Sequence, residues 1–356
     1  MPPASAKISR VYYEYRGSVE MLNGRQSTKF FRLALAAAFF AYLSVIFSSY
    51  SRLSEAGLGC PDWPGCYGQQ FAPLTAHDID RSKPVEPERR AWREMVQRYL
   101  SGVLGLLLLR LAWLGWQLKR RKRNQQVLIP LATMLLTFTL SFAGALTVSM
   151  QFKPLIMMMQ LLGGMTILGA LWWIAMREQK FWRSVGPSAV TRSLRPRTLF
   201  ALLIVAFQIA LGGWSMVNYA GLACPDFPTC QGEWWPPMNY LDAFTLWRDV
   251  GIQYDGVLLD LASATAIHMA HRVGALITLM YVGWLSLHIL RVGYRENLFR
   301  YGLLVLVWLA AEMALGIMQV QAHLPLVIAL AHNAVAALLL LSLITLYHVV
   351  RSPRTT

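Results

Sequence analysis

Residues 56–66 read AGLGCPDWPGC, and residues 220–230 read AGLACPDFPTC. Both stretches fit the pattern A-G-L-[GA]-C-P-D-[WF]-P-x-C, and their first cysteines, Cys60 and Cys224, are 164 positions apart. Two such matches over eleven residues are too similar to have arisen independently. The chain therefore carries an internal repeat, and the repeat decides the fold because each copy has to sit among similar elements in its own half.

Two further pairs of segments extend the repeat. Residues 94–98 (EMVQR) match residues 268–272 (HMAHR) at an offset of 174. Residues 153–161, which begin KPL, match residues 324–333, which begin LPL, at offsets of 171 to 172. The sequence thus predicts two halves with the same order of elements.

Composition places both halves in a membrane. The chain has 356 residues, of which 56% are hydrophobic and 14% are charged, whereas a soluble domain carries about 25% charged residues. High hydrophobicity also excludes a disordered chain. Eight apolar runs approach the roughly 20 residues that span a bilayer, and we predict an all-α membrane protein with eight transmembrane helices at about 30–50, 96–118, 127–149, 155–176, 199–218, 263–290, 302–322 and 326–350.

The net charge of +15 could indicate a nucleic-acid partner or a membrane topology, and its distribution decides between them. One alternating set of loops and termini carries 22 basic and four acidic residues, or +18, which leaves 11 basic and 14 acidic residues, or −3, for the rest. Loops rich in Lys and Arg stay in the cytoplasm. We therefore expect no nucleic-acid partner, a multi-pass membrane protein, and both termini in the cytoplasm.

The repeat and the topology together predict the organisation of the chain. Because four helices are an even number, both halves have the same orientation and are related by a pseudo-two-fold axis along the membrane normal. Each half is expected to be a four-helix bundle. The predicted parts are a cytoplasmic tail (1–29), an N-terminal half (30–176), a cytoplasmic linker (177–198), a C-terminal half (199–350) and a tail (351–356).

Four cysteines lie in the two long external loops. An oxidising compartment favours the disulfides Cys60–Cys66 and Cys224–Cys230. These disulfides could be structural clamps or could exchange with thiols. A metal site is the third interpretation, although C-x5-C is not a usual zinc spacing.

Two histidines predict a haem site in the C-terminal half. His271 and His332 lie at equivalent depths near the external ends of the sixth and eighth apolar runs. Imidazole nitrogens ligate iron well, so two histidines that face each other across a bundle are typical of a bis-His haem. Arg272 would lie at the rim, where it could pair with a propionate. Helix–helix hydrogen bonding is the alternative interpretation of the two histidines.

The equivalent positions of the N-terminal half are Gln97 and Gln160, and an amide is a poor iron ligand. Glu94 stands at the position of His268, where it could transfer protons or could pair with Arg93 or Arg98. Glu312 lies deep in the seventh run, where it could bond to a neighbouring helix or belong to a proton path.

Over roughly residues 30–350, the sequence resembles the haem A synthase family of bacterial and mitochondrial inner membranes. The segments that carry the resemblance are SRLSEAGLGCPDWPGCYG (51–68), EMVQRYLSGVLG (94–105), KPLIMMMQLLGG (153–164), LGGWSMVNYAGLACPDFPTCQGEWWP (211–236), IHMAHRVGALIT (267–278) and LPLVIALAHNAVAALLL (324–340).

The resemblance implies an eight-helix pseudo-two-fold fold and an oxidoreductase that converts the C8 methyl of haem O to the formyl of haem A for terminal oxidases. It implies haem b as a cofactor on His271 and His332, a haem O substrate site in the N-terminal half, and a catalytic role for Glu94. The implied partners are the lipid bilayer, haem O synthase, terminal oxidase subunits and an electron donor. The implied substrate-binding residues are Gln97, Arg98, Lys153 and Gln160.

The sequence departs from the family pattern at two positions, because the family expects histidines where Gln97 and Gln160 stand. Two main hypotheses follow. The protein is a haem A synthase with an altered substrate site, or it is a non-catalytic haem b-binding relative that acts in oxidase assembly or haem handling. A transporter built from tandem halves is a third hypothesis. Few broken-helix signals lie at mid-membrane depth, and this argues against it.

Overall fold

The computed structural model describes residues 4–54, 60, 63, 65–66, 86–120, 127–149, 154–178, 188–246, 259–294 and 297–351. These ranges are helical apart from turns and one isolated bridge between Cys230 and Glu233. A short 3₁₀ turn covers Ala220–Leu222. The helices are α1 (Ala4–Leu53), α2 (Glu86–Arg120), α3 (Leu128–Ser149), α4 (Pro154–Glu178), α5 (Ala189–Val217), α6 (Tyr240–Ala243), α7 (Leu261–Val292), α8 (Phe299–Gln321) and α9 (Leu326–Val350).

Seven helices in the described ranges are long and apolar enough to cross a membrane, which confirms the prediction of an all-α membrane protein. The apolar part of α3, Leu128–Gly144, is shorter than these spans. An eight-span count and the cytoplasmic position of both termini therefore remain predictions. The seven spans are Thr28–Leu53, Arg90–Gln117, Pro154–Arg177, Ala189–Val217, Leu261–Val292, Phe299–Gln321 and Leu326–Val350.

Several helices extend beyond the apolar runs of the sequence. Helix α1 begins at Ala4, within the expected tail, and α5 begins at Ala189, within the expected linker. The start of α5 is fixed by a capping box in which Ser188 and Thr191 bond to each other's backbone N–H groups. Hydropathy marks only the part of a helix that lies in hydrocarbon, whereas backbone hydrogen bonds continue for as long as caps and propensities allow.

The helices pack as two four-membered rings. In the first ring, α1 contacts α2 and α4, and α3 contacts α2 and α4. In the second ring, α7 contacts α5 and α8, and α9 contacts α5 and α8. Each ring is closed, so each surrounds its own interior, where side chains from facing helices can meet.

The two rings meet through α1 and α4 on one side and α5 and α9 on the other. Ala34, Ala37 and Ala41 of α1 are buried in the same apolar core as Ala337 of α9. Small side chains allow helix backbones to approach closely. Trp172 of α4 also donates a 2.8 Å hydrogen bond from Nε1 to the hydroxyl of Thr345 in α9. The two rings therefore share one packed interface.

Candidate functional site

Each repeated cysteine stretch is closed by a disulfide. Cys60 bonds Cys66, and Cys224 bonds Cys230, with Cα atoms 4.9 and 4.6 Å apart. All four residues are at most 1% exposed, and no cysteine of the described ranges is free. The disulfides leave no thiolate to bind a metal ion, so the metal interpretation of these cysteines does not fit the structure.

One arginine fixes each disulfide loop to a helix. Arg98 donates from Nη1 to the carbonyl of Gly65, and Arg272 donates from Nη1 to the carbonyl of Thr229 at 2.7 Å. Gly65 and Thr229 are 164 positions apart, as are the paired cysteines. The two halves therefore share this arginine-to-carbonyl contact as well as their sequence pattern.

Arg272 also donates from Nη2 to the carbonyls of Cys224 and Asp226 at 3.2 and 2.7 Å. Its Nε is buried and has no hydrogen-bond partner among the described residues. Both Nη atoms of Arg272 thus bind the loop. A contact between Arg272 and a propionate remains a prediction.

Asp226 organises the second loop from within. Its carboxylate accepts hydrogen bonds from the hydroxyl of Thr229, from the backbone N–H of Gln231 at 2.6 Å and from that of Gly232 at 3.1 Å. The Thr229 hydroxyl and then the backbone N–H groups hold the pKa of Asp226 below its usual value. Gly232 has φ +79°, a conformation that glycine adopts readily, so it allows the turn that brings its N–H to the carboxylate.

Glu94 ties helix α2 to the first loop. Its carboxylate accepts hydrogen bonds from the backbone N–H of Cys60 at 2.9 Å and from Nη2 of Arg98. Arg93, the other partner expected from the sequence, donates instead to the carbonyl of Ser54 at 3.0 Å. At the position of Glu94 in the second half, Nδ1 of His268 lies 3.1 Å from the carbonyl of Ala220. Both residues therefore hold a loop, and a catalytic role for Glu94 remains a prediction.

The imidazoles of His271 on α7 and His332 on α9 lie close together with their planes nearly perpendicular. Their ring centroids are 6.5 Å apart and their planes are 88° apart. Metal–imidazole bonds are about 2.0 Å long, and with roughly 1.2 Å from ring nitrogen to centroid, two rings on opposite sides of one metal ion have centroids about 6.4 Å apart. The observed separation fits one metal ion between the two rings.

Two glycines leave room for these rings. A Cβ atom on Gly212 of α5 would lie 2.9 Å from Cε1 of His271, and one on Gly316 of α8 would lie 3.3 Å from Cε1 of His332. Real Cβ atoms essentially never come within 2.9 Å of another heavy atom in this way, so a side chain at Gly212 would displace the His271 ring. The four helices of this ring thus form a cradle for two imidazoles.

A polar side chain from a third or fourth helix lies behind each histidine. Nε2 of Gln208 in α5 is 3.0 Å from Nδ1 of His271 and donates to the carbonyl of the same residue at 3.0 Å. Oε1 of Glu312 in α8 is 3.3 Å from Nδ1 of His332. For ligation through Nε2, Nδ1 carries the proton and donates it to an acceptor. Oε1 of Glu312 is such an acceptor, and the amide of Gln208 is one when its oxygen faces Nδ1. With that amide orientation, the residues present fit a bis-His haem.

The N-terminal ring repeats this geometry with different chemistry. Nε2 of Gln97 donates to the hydroxyl of Ser44 at 3.0 Å, and Ser44 lies 164 positions before Gln208. A Cβ atom on Gly144 would lie 3.3 Å from Nε2 of Gln160, as one on Gly316 would from His332. The clearance at the second ligand position is thus kept and an amide occupies it, whereas Gly212 has Ser48 as its counterpart beside the first. Lys153, the other predicted substrate-binding residue, lies outside the described residues.

Arg52 is the functional candidate that the sequence reasoning missed. It donates from Nη2 to Oε1 of Gln160 and from Nη1 to the carbonyl of Met157, both at 3.2 Å. At the repeat offset of 164 its counterpart is Met216, so an alignment of the halves could have singled it out.

An apolar groove of about 370 Å³ lies beside the N-terminal site. Leu43, next to Ser44, and Leu100, one helical turn from Gln97, belong to its lining. The other lining residues are Ile46, Phe47, Tyr50 and Leu330. The groove is thus lined by close sequence neighbours of the residues that form the N-terminal site.

Known proteins are similar in sequence to this chain. The family model described as Cytochrome oxidase assembly protein (COX15-CtaA) matches residues 31–344. Heme A synthase of Shewanella oneidensis is 37% identical over 313 residues, which are 86% of this chain and 92% of that protein. Heme A synthase of Methylobacterium nodulans is 34% identical over 42% of this chain and 39% of its own length. Heme A synthase of Shouchella clausii is 23% identical over 62% and 68%.

Proposed function

The chain belongs to the cytochrome oxidase assembly family that contains the haem A synthases, and from this premise we propose that it oxidises the C8 methyl of haem O to the formyl of haem A. Overall, the methyl group and one water give the formyl group with release of four protons and four electrons. The four electrons require an external oxidant as a partner, and the electron donor that the resemblance implies would be a separate partner. The product serves terminal oxidases, so haem O synthase and oxidase subunits are the protein partners that we propose.

The C-terminal ring binds haem b through His271 and His332 in this proposal. The observation that carries it is the 6.5 Å separation of the two imidazole centroids, with Gly212 and Gly316 leaving room for the rings. Haem b supplies one-electron transfer when it is bound. His271 and His332 hold it, Gln208 and Glu312 orient them, and Arg272 meets a propionate at the rim.

The N-terminal ring binds haem O. We assign substrate binding to Gln97, Arg98, Lys153 and Gln160, and the catalytic proton transfer to the carboxylate of Glu94. Glu94 and Gln97 are three residues apart on α2 and therefore share one helix face. Arg98 keeps Glu94 in place. The groove beside Leu43 and Leu100 gives the hydroxyfarnesyl tail of haem O an apolar surface.

A second candidate is a haem b-binding relative without synthase activity, which acts in oxidase assembly or haem handling. It is favoured by the amides of Gln97 and Gln160, which bond Ser44 and Arg52 where iron ligands are expected. We keep the synthase as the main proposal because Glu94, Arg98 and both disulfides are present.

We further propose a bacterial inner-membrane location, with both termini in the cytoplasm and the disulfide loops on the external face. In this proposal α3 is the third of eight spans. The N-terminal half, 30–176, and the C-terminal half, 199–350, each form one pseudo-symmetric bundle, with the tail 1–29, the linker 177–198 and the tail 351–356 in the cytoplasm.

Haem extraction tests the function. The full chain is expressed in a host that makes haem O and no haem A, and the extracted haems are identified by chromatography and mass spectrometry. We expect haem A. Haem O alone, from membranes in which the protein carries a low-spin haem b spectrum, would overturn the synthase proposal and leave the non-catalytic candidate.

A matched variant tests Glu94 in the same host. Glu94→Gln keeps an acceptor for the Cys60 N–H and removes the carboxylate. We expect the haem b spectrum to remain and haem A to disappear. Undiminished haem A from this variant would show that Glu94 only holds the loop.

A further inference from the structure

Three of the differences between equivalent positions of the two rings lie at the proposed ligand sites or next to them, and two of these are coupled. His271 and His332 correspond to Gln97 and Gln160, and Met216 corresponds to Arg52. Arg52 donates to Gln160 at 3.2 Å, so the added cation contacts a residue at a lost ligand position. The N-terminal site has therefore exchanged two iron-ligating imidazoles for amides and one guanidinium.

Arg52 lies at the end of a membrane span, and the described residues offer it no matching anion. Helix α1 crosses as Thr28–Leu53, and the Arg52 side chain is partly buried. Among the described residues no carboxylate lies within ion-pair distance of its guanidinium, whose two hydrogen bonds go to a carbonyl and an amide oxygen. A cation in such a place is costly unless an anion joins it.

The guanidinium can accept such an anion. It has five N–H donors, and within the described part of the chain Met157 and Gln160 take two of them. A planar guanidinium with remaining donors suits a carboxylate, which it can bind through two parallel hydrogen bonds. Its counterpart near the C-terminal site is the thioether of Met216, which offers no such donor.

The geometry points to Arg52 as the residue that anchors a carboxylate of the ligand in the N-terminal ring, so that this site recognises a porphyrin dicarboxylate by its acid groups and not by iron ligation. This inference rests on the proposed porphyrin substrate of this half. It names the recognition chemistry that replaces the two missing histidines, and it assigns Arg52 as a substrate-binding residue.

Porphyrin binding to the haem b-loaded full chain tests the inference. The probes are zinc protoporphyrin and its dimethyl ester, whose fluorescence is followed during titration of the purified protein. We expect the diacid to bind about 10- to 100-fold more tightly than the ester, as for a hydrogen bond to a charged group. Equal affinities, or no binding of either probe, would overturn the inference.

Variants test whether the preference for the diacid depends on the Arg52 side chain. Arg52→Met copies the C-terminal half and should lose about 10- to 100-fold in affinity for the diacid with little change for the ester. Arg52→Lys should keep part of the preference. The control is Arg110→Met, which removes an exposed arginine of α2 that lies over the Trp113 ring, 4.2 Å from its centroid. An Arg52→Met protein that binds the diacid as the parent does would overturn the inference.

The porphyrin-binding test and the haem extraction test can fail independently of each other. Arg52-dependent binding of the diacid without haem A formation refutes the synthase and supports the inference. Haem A formation with no preference for the diacid supports the synthase and refutes the inference.

Discussion

The imidazole rings of His271 and His332 lie 6.5 Å apart, centroid to centroid, although 61 positions separate them in the chain. They meet because α7 and α9 both border the interior of the C-terminal ring, with α5 and α8 beside them. The glycines Gly212 and Gly316 on those two neighbouring helices keep the space open.

The first prediction concerns the two ligands. His271→Ala or His332→Ala should each abolish the low-spin b-type spectrum, because one axial ligand does not hold a low-spin six-coordinate iron. Optical and electron paramagnetic resonance spectra of purified protein measure this. The control is His288→Ala, which changes a histidine of α7 that contacts Arg197 away from the site. A spectrum unchanged by both ligand variants would refute the site.

The second prediction concerns Glu312. Its Oε1 lies 3.3 Å from Nδ1 of His332, and loss of such a neighbour costs about 10- to 100-fold in metal affinity. Glu312→Leu should therefore release haem b about 10- to 100-fold more readily, measured by haem transfer to an acceptor protein, and should shift the g values. Glu312→Gln keeps a hydrogen-bond acceptor and should retain most of the affinity. Equal haem loss from Leu and Gln variants would contradict this role.

The third prediction restores the missing histidines. Gln97→His together with Gln160→His should raise the haem content from one to two per chain, because Gly144 leaves Gln160 the same 3.3 Å clearance that Gly316 leaves His332. The pyridine haemochrome assay and protein quantification give the ratio. Either single variant should stay at one low-spin haem. A ratio of one in the double variant would show that the N-terminal ring no longer accommodates an axially ligated haem.

The fourth prediction concerns the second disulfide. Cys224 and Cys230 are six positions apart, so the chain-entropy model gives the bond about 2 kcal/mol. Replacement of both cysteines by serine should destabilise the loop that Arg272 binds. Thermal loss of the haem b spectrum should occur at a lower temperature than in the parent. An unchanged transition would show that the disulfide does not support the haem site.

The fifth prediction is a pH dependence of the same loop. Because the folded-state pKa of Asp226 is lowered, its stabilisation is fully present above about pH 4 and disappears as the pH falls through the depressed value. Reduction of the buried Cys224–Cys230 bond by a phosphine should therefore accelerate below about pH 4. Asp226→Asn should be reduced quickly at every pH. A parent rate that does not rise in acid would contradict this account.

Some features of the site were predictable because they depend on residues close together in the chain. Cys60 and Cys66 are so close in the chain that their pairing needs no distant element, and an oxidising compartment favours such a bond. His271 and His332 could be paired because they lie at equivalent depths in two apolar runs of one half. The apolar runs predicted the long helices, although not where α1 and α5 begin.

Other contacts depend on how helices turn and pack, which hydropathy does not encode. The sequence places Arg272 beside His271, but only packing directs its Nη atoms to the carbonyls of Cys224, Asp226 and Thr229.

The sequence by itself determined an all-α membrane protein, its duplicated loops and the two histidines that we propose as haem ligands, because length, hydropathy and spacing are local properties. The tertiary structure alone decided that Arg52 meets Gln160, Ser44 meets Gln97 and Glu312 meets His332. These pairs lie on different helices, and a side chain of a helix reaches its partner only when both helices present the right faces at the right depth.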